Sequence, residues 1–199
     1  MSHLFALGRP VDLEESLTCE FKEVKDKSPV TEIADKVDEY LVAYLNEVSG
    51  SVYWGIRDSD RTVTGVRLDH KRRDQLRLVV GQKIAAVAPA VSSSCYQLPF
   101  HKVFHADGKN STVEDTFVVE LSVRVPSGGG LYFTEGGAAY RKTLGERKKL
   151  TGTELHNALL GQLEAKIKNS KATDGVTDSS SLSHCCRLLS GARESSLRS

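Results

Sequence analysis

Hydrophobic positions change their period several times along this chain, and each change marks an element. Ile33, Val37, Tyr40, Leu41, Tyr44, Leu45 and Val48 recur at steps of three and four, which predicts an amphipathic helix capped by Thr31 after Pro29 and ending at Ser49-Gly50. Before it, Leu17 to Lys22 reads as a short strand. After it, Ser51 to Ile56 reads as a buried strand, Arg57 to Arg61 as a polar turn, and Thr62 to Val66 as the returning arm of a hairpin. A second helix is expected from about Lys71 to Val87, stopping before Pro89. Cys95–His105, Thr116–Val125, Leu131–Thr134 and Ala138–Thr143 then alternate as a meander, and a closing helix is expected over 151–167. Helices and strands intermix with short connections that suit antiparallel pairing, so the class is α+β: a mixed, mainly antiparallel sheet packed with about three helices.

From Asn169 the pattern stops. Ser, Thr, Asp, Gly and Arg dominate, and so little apolar surface cannot offset chain entropy. The expected organisation is one domain over 1–168 and a Ser-rich, disordered tail over 169–199. The chain has 199 residues, 27 Lys and Arg against 26 Asp and Glu, and a formal net charge of +1. That balance excludes a uniformly basic nucleic-acid glove. No apolar run approaches the roughly 20 residues of a membrane-spanning helix. Met1-Ser2-His3 does not open a signal peptide, so the reading is intracellular, cytoplasmic rather than nuclear, with no membrane partner. Cys19, Cys95, Cys185 and Cys186 lack the spacing of a disulfide framework.

The segment Glu15-Ser16-Leu17-Thr18-Cys19-Glu20-Phe21-Lys22 is followed by Asn46-Glu47-Val48-Ser49-Gly50 at the helix end. The next strand carries Trp54-Gly55-Ile56-Arg57-Asp58, with Gly65 beyond it. This succession resembles the AlbA-like domain of the Schlafen family, over roughly residues 10–160 and most sharply over 15–66. The resemblance implies an endoribonuclease site made by Glu15, Glu20 and Asp58, with Lys22 adjoining. It also implies a substrate that is structured, tRNA-like RNA, and a clamp of two related lobes. One lobe fits in this chain, so a homodimer or a heteromer with another Schlafen-like subunit is expected.

Three carboxylates held together repel one another and call for a cation. Mg²⁺ or Mn²⁺ is the natural partner for such oxygen donors and would offset charge on a scissile phosphate. The plainer reading of the same residues is a solvated Glu15, a Glu20 paired with Lys22 or Arg57, and an Asp58 at home in a turn.

Basic residues offer a track for a phosphate backbone: Lys71, Arg72 and Arg73 in one run, Arg141, Lys142, Arg147, Lys148 and Lys149 in another, joined by Lys25 and Arg57 near the acidic motif. Charge runs are also ordinary solvated faces. His101 and His105 would lie about 13 Å apart on one strand face, too far to share a metal. The paired Cys and His ligands of a zinc site are not apparent, and no phosphate-loop motif supports ATP. The runner-up function is a noncatalytic nucleic-acid-binding or scaffold subunit, and a third is a protein-interaction subunit without nucleic-acid contact.

Overall fold

A computed structural model describes residues 5–25, 27–107, 111–127, 130–164 and 167. The expected tail over 169–199, with Cys185 and Cys186, lies outside the described residues. The described residues up to Leu155 form one compact unit, and the described residues from His156 fall outside it.

Helix α1 spans Pro29–Leu45. Pro29 occupies the first helical turn instead of preceding it, because its fixed φ suits that position and its missing N–H costs nothing there. Thr31 is therefore inside the helix rather than its cap. Tyr40, Leu41, Tyr44 and Leu45 are buried, as the apolar stripe requires. Strand β2 (Cys19–Lys22) precedes α1 and strand β3 (Gly50–Trp54) follows it. The two pair in parallel, with Glu20 beside Val52 and Lys22 beside Trp54. Gly50 is needed at this junction because a Cβ there would meet Thr18 O at 2.5 Å and the Tyr44 ring at 2.6 Å.

Helix α2 (His70–Ala85) is N-capped by Asp69, whose Oδ1 accepts the Arg72 N–H at 2.8 Å, and it buries Leu76, Val80 and Ile84 along one face. The remaining strands are β1 (Phe5–Ala6), β4 (Val66–Arg67), β5 (Tyr96–Gln97), β6 (Phe100–Phe104), β7 (Thr112–Val123), β8 (Tyr140–Thr143) and β9 (Glu146–Lys149). A seven-stranded sheet runs β1-β6-β7-β3-β2, with β4 and β5 also pairing with β7, and β8-β9 forms a separate hairpin. Only the β1–β6 and β2–β3 pairs are parallel within that sheet. Helical backbone over 152–164 gives the third helix, so the α+β class with a mainly antiparallel sheet stands.

Besides the Thr31 cap and the end of α1, which falls at Leu45 and not at Ser49-Gly50, three local expectations change. The hairpin expected at Thr62–Val66 is reduced to a single bridge between Ile56 and Val63, because Val66 and Arg67 pair with Phe117 and Thr116 of β7 instead. Leu131–Thr134 forms no strand, only a bridge from Phe133 to Ala88. Glu146–Lys149, a charge run without apolar alternation, is strand β9, stabilised by its pairing with β8. The core has two layers. Tyr40, Tyr44, Val52, Trp54 and Val119 pack on the helix side of the sheet, while Phe5, Phe21, Ile56 and Val118 pack on the other. No helix among the described residues is long and apolar enough to cross a membrane.

Candidate functional site

Alternation along β2 sends Cys19 and Phe21 to one side of the sheet and Glu20 and Lys22 to the other, under α1. Glu20 is 1% exposed. A carboxylate in such a place must be neutralised locally, since an unpaired buried charge costs several kcal/mol. Two ammonium groups do this. Lys22 Nζ lies 2.8 Å from Glu20 Oε1, and Lys142 Nζ lies 2.7 Å from Oε2. The second contact is a close ion pair whose angles fall outside hydrogen-bond geometry, leaving Oε2 without a formal hydrogen bond. The Lys142 ammonium donates to Thr143 O at 2.7 Å, and its side chain is wholly buried.

Lys142 therefore faces inward and is not a backbone-tracking cation as the charge run suggested. Alternation on β8, which puts Tyr140 and Lys142 on one face, is the signal in the sequence that could have revealed this.

Beyond β3 the chain must turn sharply to deliver Asp58. Gly55 makes this turn at φ +97, a conformation L side chains rarely adopt, with its carbonyl accepting the Thr64 and Gly65 N–H groups. Asp58 then stands at the start of the polar turn, 54% exposed, with Oδ2 3.7 Å from Lys22 Nζ. Lys22 thus sits between Glu20 and Asp58. Burial pulls the Lys22 pKa down, but the hydrogen bond and charge of Glu20, with Tyr40 and Asp58, outweigh that and leave it raised. Glu15 meets the same strand from its edge, its Oε1 accepting the Phe21 N–H at 3.0 Å. Burial, with the charges of Glu15 and Glu20, pushes the Cys19 thiol up to about 11, which leaves it a poor nucleophile.

Hairpin β8-β9 is pinned over this cluster by α1. Asn46 Nδ2 donates to Tyr132 O and Tyr140 O, at 3.0 and 2.9 Å, while its Oδ1 accepts the Tyr132 N–H at 2.7 Å. Arg147 Nε donates to Glu39 Oε2 at 2.7 Å, its Nη1 donates to the Tyr40 hydroxyl at 2.9 Å, and the guanidinium lies 4.4 Å from the Tyr40 ring centre. A cavity of 270 Å³ opens beside the cluster, lined by Glu20, Lys22, Tyr140 and Lys149 among others.

Other expected contacts are spread out. Arg141 pairs with Glu47 and Lys148 with Glu154. Lys25 pairs with Glu23, and Arg57 pairs with Glu23 and Asp60 rather than Glu20. On α2, Arg73 lies 4.6 Å from the Phe117 ring centre, while Lys71 and Arg72 are exposed without ion pairs among the described residues. Two strand spacings separate β7 from β2, about 10 Å.

A divalent ion does not fit the side chains as arranged. Both Glu20 oxygens face ammonium groups and Lys22 stands between Glu20 and Asp58. Among the described residues, no three His, Cys, Asp or Glu side chains gather as metal ligands.

The Schlafen, AlbA_2 family model matches residues 15–151, which includes every element of this cluster. The chain belongs to the Schlafen AlbA_2 family. Membership of this family suggests a nucleic-acid-related function. Among solved structures, it is similar to the crystal structure of the DIP2311 protein from Corynebacterium diphtheriae, with a TM-score of 0.48 and 16% identity, over 71% of this chain and 26% of that one. The Schlafen AlbA_2 chain thus spans about a quarter of that relative's length.

Proposed function

We propose that this domain binds structured, tRNA-like RNA through its backbone and cleaves it at the Lys22–Asp58 edge of the cluster. The observation that carries this is the position of Lys22, which contacts a buried Glu20 on one side and an exposed Asp58 on the other and itself lines the neighbouring cavity. Lys22, like any lysine whose pKa is not depressed, is protonated at neutral pH, and its ammonium offsets charge on the phosphate. Asp58 is open to solvent and beside the same lysine, and as general base it takes the proton of the ribose 2′-hydroxyl as that oxygen attacks the phosphorus, while the P–O5′ bond breaks and the leaving 5′-oxygen takes a proton from solvent. Glu20 is too enclosed to touch substrate, so it and Lys142 are positioning residues that fix the Lys22 ammonium. Glu15 holds the β2 edge. No step runs through Mg²⁺ or Mn²⁺.

Lys149 in the cavity wall and Lys71, Arg72 and Arg73 on α2 supply further phosphate contacts. A second copy, or another Schlafen-like subunit, provides the opposing lobe of the clamp, and a monomer at micromolar concentration in a sedimentation run would argue against that.

The second reading is RNA binding without cleavage, and the saturation of Glu20 by two lysines favours it. Incubating end-labelled tRNA with the protein and with Lys22→Met and Asp58→Asn separates the two. Cutting lost in both folded variants supports the nuclease, and binding without cutting supports the second reading.

A further inference from the structure

A second cavity, of 330 Å³, adjoins the one at Glu20 and shares Lys22, Tyr40 and Arg147 with it. That volume is at the low end for small-ligand pockets and suits a single nucleoside rather than a longer segment. We propose that it takes the guanine base of the nucleotide next to the phosphate held by Lys22. The inference rests on the reading of the domain as an RNA-binding nuclease and names the base that it selects.

The lining argues against a second phosphate and for a base. Glu23, Glu32 and Asp35 all face the cavity, and carboxylates repel a phosphate but accept hydrogen bonds from the donor edge of a base. Two of the three are already engaged. Glu23 pairs with Lys25 and Arg57, and Glu32 accepts the Lys25 N–H at 3.1 Å. Asp35, exposed on the first turns of α1, has no partner among the described residues. A free carboxylate can accept two parallel N–H donors. Guanine presents two adjacent donors, N1–H and the N2 amino group. Cytosine and adenine present an amino group beside an acceptor, and uracil has a single ring donor.

Two further features fit the same occupant. Arg147, fixed by Glu39 and Tyr40, gives the cavity an immobilised guanidinium on which a base can stack. Lys36 adds a donor for the acceptor edge of guanine. Because Lys22 lines both cavities, a phosphate on its ammonium puts the attached nucleoside within reach of this one.

Trp54 also lines the cavity and is the only tryptophan in the chain, so its indole N–H gives one assignable resonance. The full chain, labelled with ¹⁵N, is titrated separately with the 5′-monophosphates of guanosine, adenosine, cytidine and uridine, and the guanosine titration is repeated with Asp35→Asn. The expected result is a saturable shift that is tightest for guanosine monophosphate, and an affinity for it about tenfold lower in Asp35→Asn. An equal or stronger response to another nucleotide, no saturable shift with any of them, or an unchanged affinity in Asp35→Asn would overturn the proposal. Cleavage is not part of the readout. Guanosine selectivity without RNA cutting sinks the nuclease reading alone, and cutting without selectivity sinks this inference alone.

Discussion

Glu20 and Glu120 are carboxylates on opposite faces of the same sheet, and they are satisfied in different ways. Glu20 lies under α1 between two lysines, one of them wholly buried. Glu120, on β7, accepts from Ser51 Oγ at 2.7 Å through Oε1 and lies 2.7 Å from His101 Nε2 through Oε2. Two lysines around one carboxylate and a partly exposed imidazole beside the other give the two clusters different stakes. The first is tied through Lys22 to Asp58, and losing either lysine leaves a charge short of a partner in a dry place. The second borders solvent, with His101 35% exposed, and can exchange a lost partner for water. The comparison teaches that the polar cluster most deeply buried is the one that fixes the Lys22–Asp58 edge, whereas the other reaches solvent through His101.

The sharpest way to break the contrast is to remove one partner from each cluster. Lys142→Met is expected to lower unfolding free energy by about 3–5 kcal/mol, because it strips a charge partner from a buried carboxylate. His101→Ala is expected to cost about 1 kcal/mol. Urea unfolding of the two variants checks both values, and similar losses would erase the distinction. Next in size is Asn46→Ala, which leaves the Tyr132 N–H and two carbonyls short of a partner at the base of the β8–β9 hairpin. A loss of about 1–3 kcal/mol is expected by the same assay.

The clusters also respond to opposite ends of the pH scale. Burial pushes the Glu120 pKa up, but hydrogen bonds from His101 and Ser51 outweigh it and leave it lowered from 4.5. Its stabilisation is present above 4.5 and is lost as pH falls through the lowered value. Lys22 is raised from 10.5, so its stabilisation is complete below 10.5 and is lost as pH climbs through the raised value. Melting temperatures of Glu120→Gln and wild type are expected to converge in acid, and those of Lys22→Met and wild type in alkali. The smallest expected effect is that of Mg²⁺ or Mn²⁺ on the RNA-free protein, whose melting temperature should not move. A preformed metal site would raise it as ligand concentration exceeds Kd.

The order of elements was legible in the sequence because α1 carries strong periodicity, β3 reads as a buried apolar run and Pro89 bounds α2, and so was the approach of Asp58 to the strand of Glu20 and Lys22. Glu15 is tied to the strand by its bond to the Phe21 N–H. Its inclusion came from the family pattern, since nothing in its local sequence distinguishes it from a solvated loop residue. What the sequence hid is long-range. Lys142 looked like one more member of a charge run, and only the docking of β8–β9 on α1 turns it toward Glu20. Asn46 was visible as a motif residue, but its role depends on partners at Tyr132 and Tyr140, far along the chain. Thr31 was misplaced for a local reason, since proline favours the first helical turn, and the 62–66 hairpin for a long-range one, since Val66 pairs with Phe117 of β7.

The most direct test of the central claim is single-turnover cleavage of end-labelled tRNA by wild type, Lys22→Met, Asp58→Asn and Glu120→Gln, with folding checked for each. The account predicts that the first two substitutions lower the rate by about 10²–10⁴ while Glu120→Gln leaves it near wild type. Equal loss in all three variants, or cutting that survives in Lys22→Met and Asp58→Asn, would contradict it.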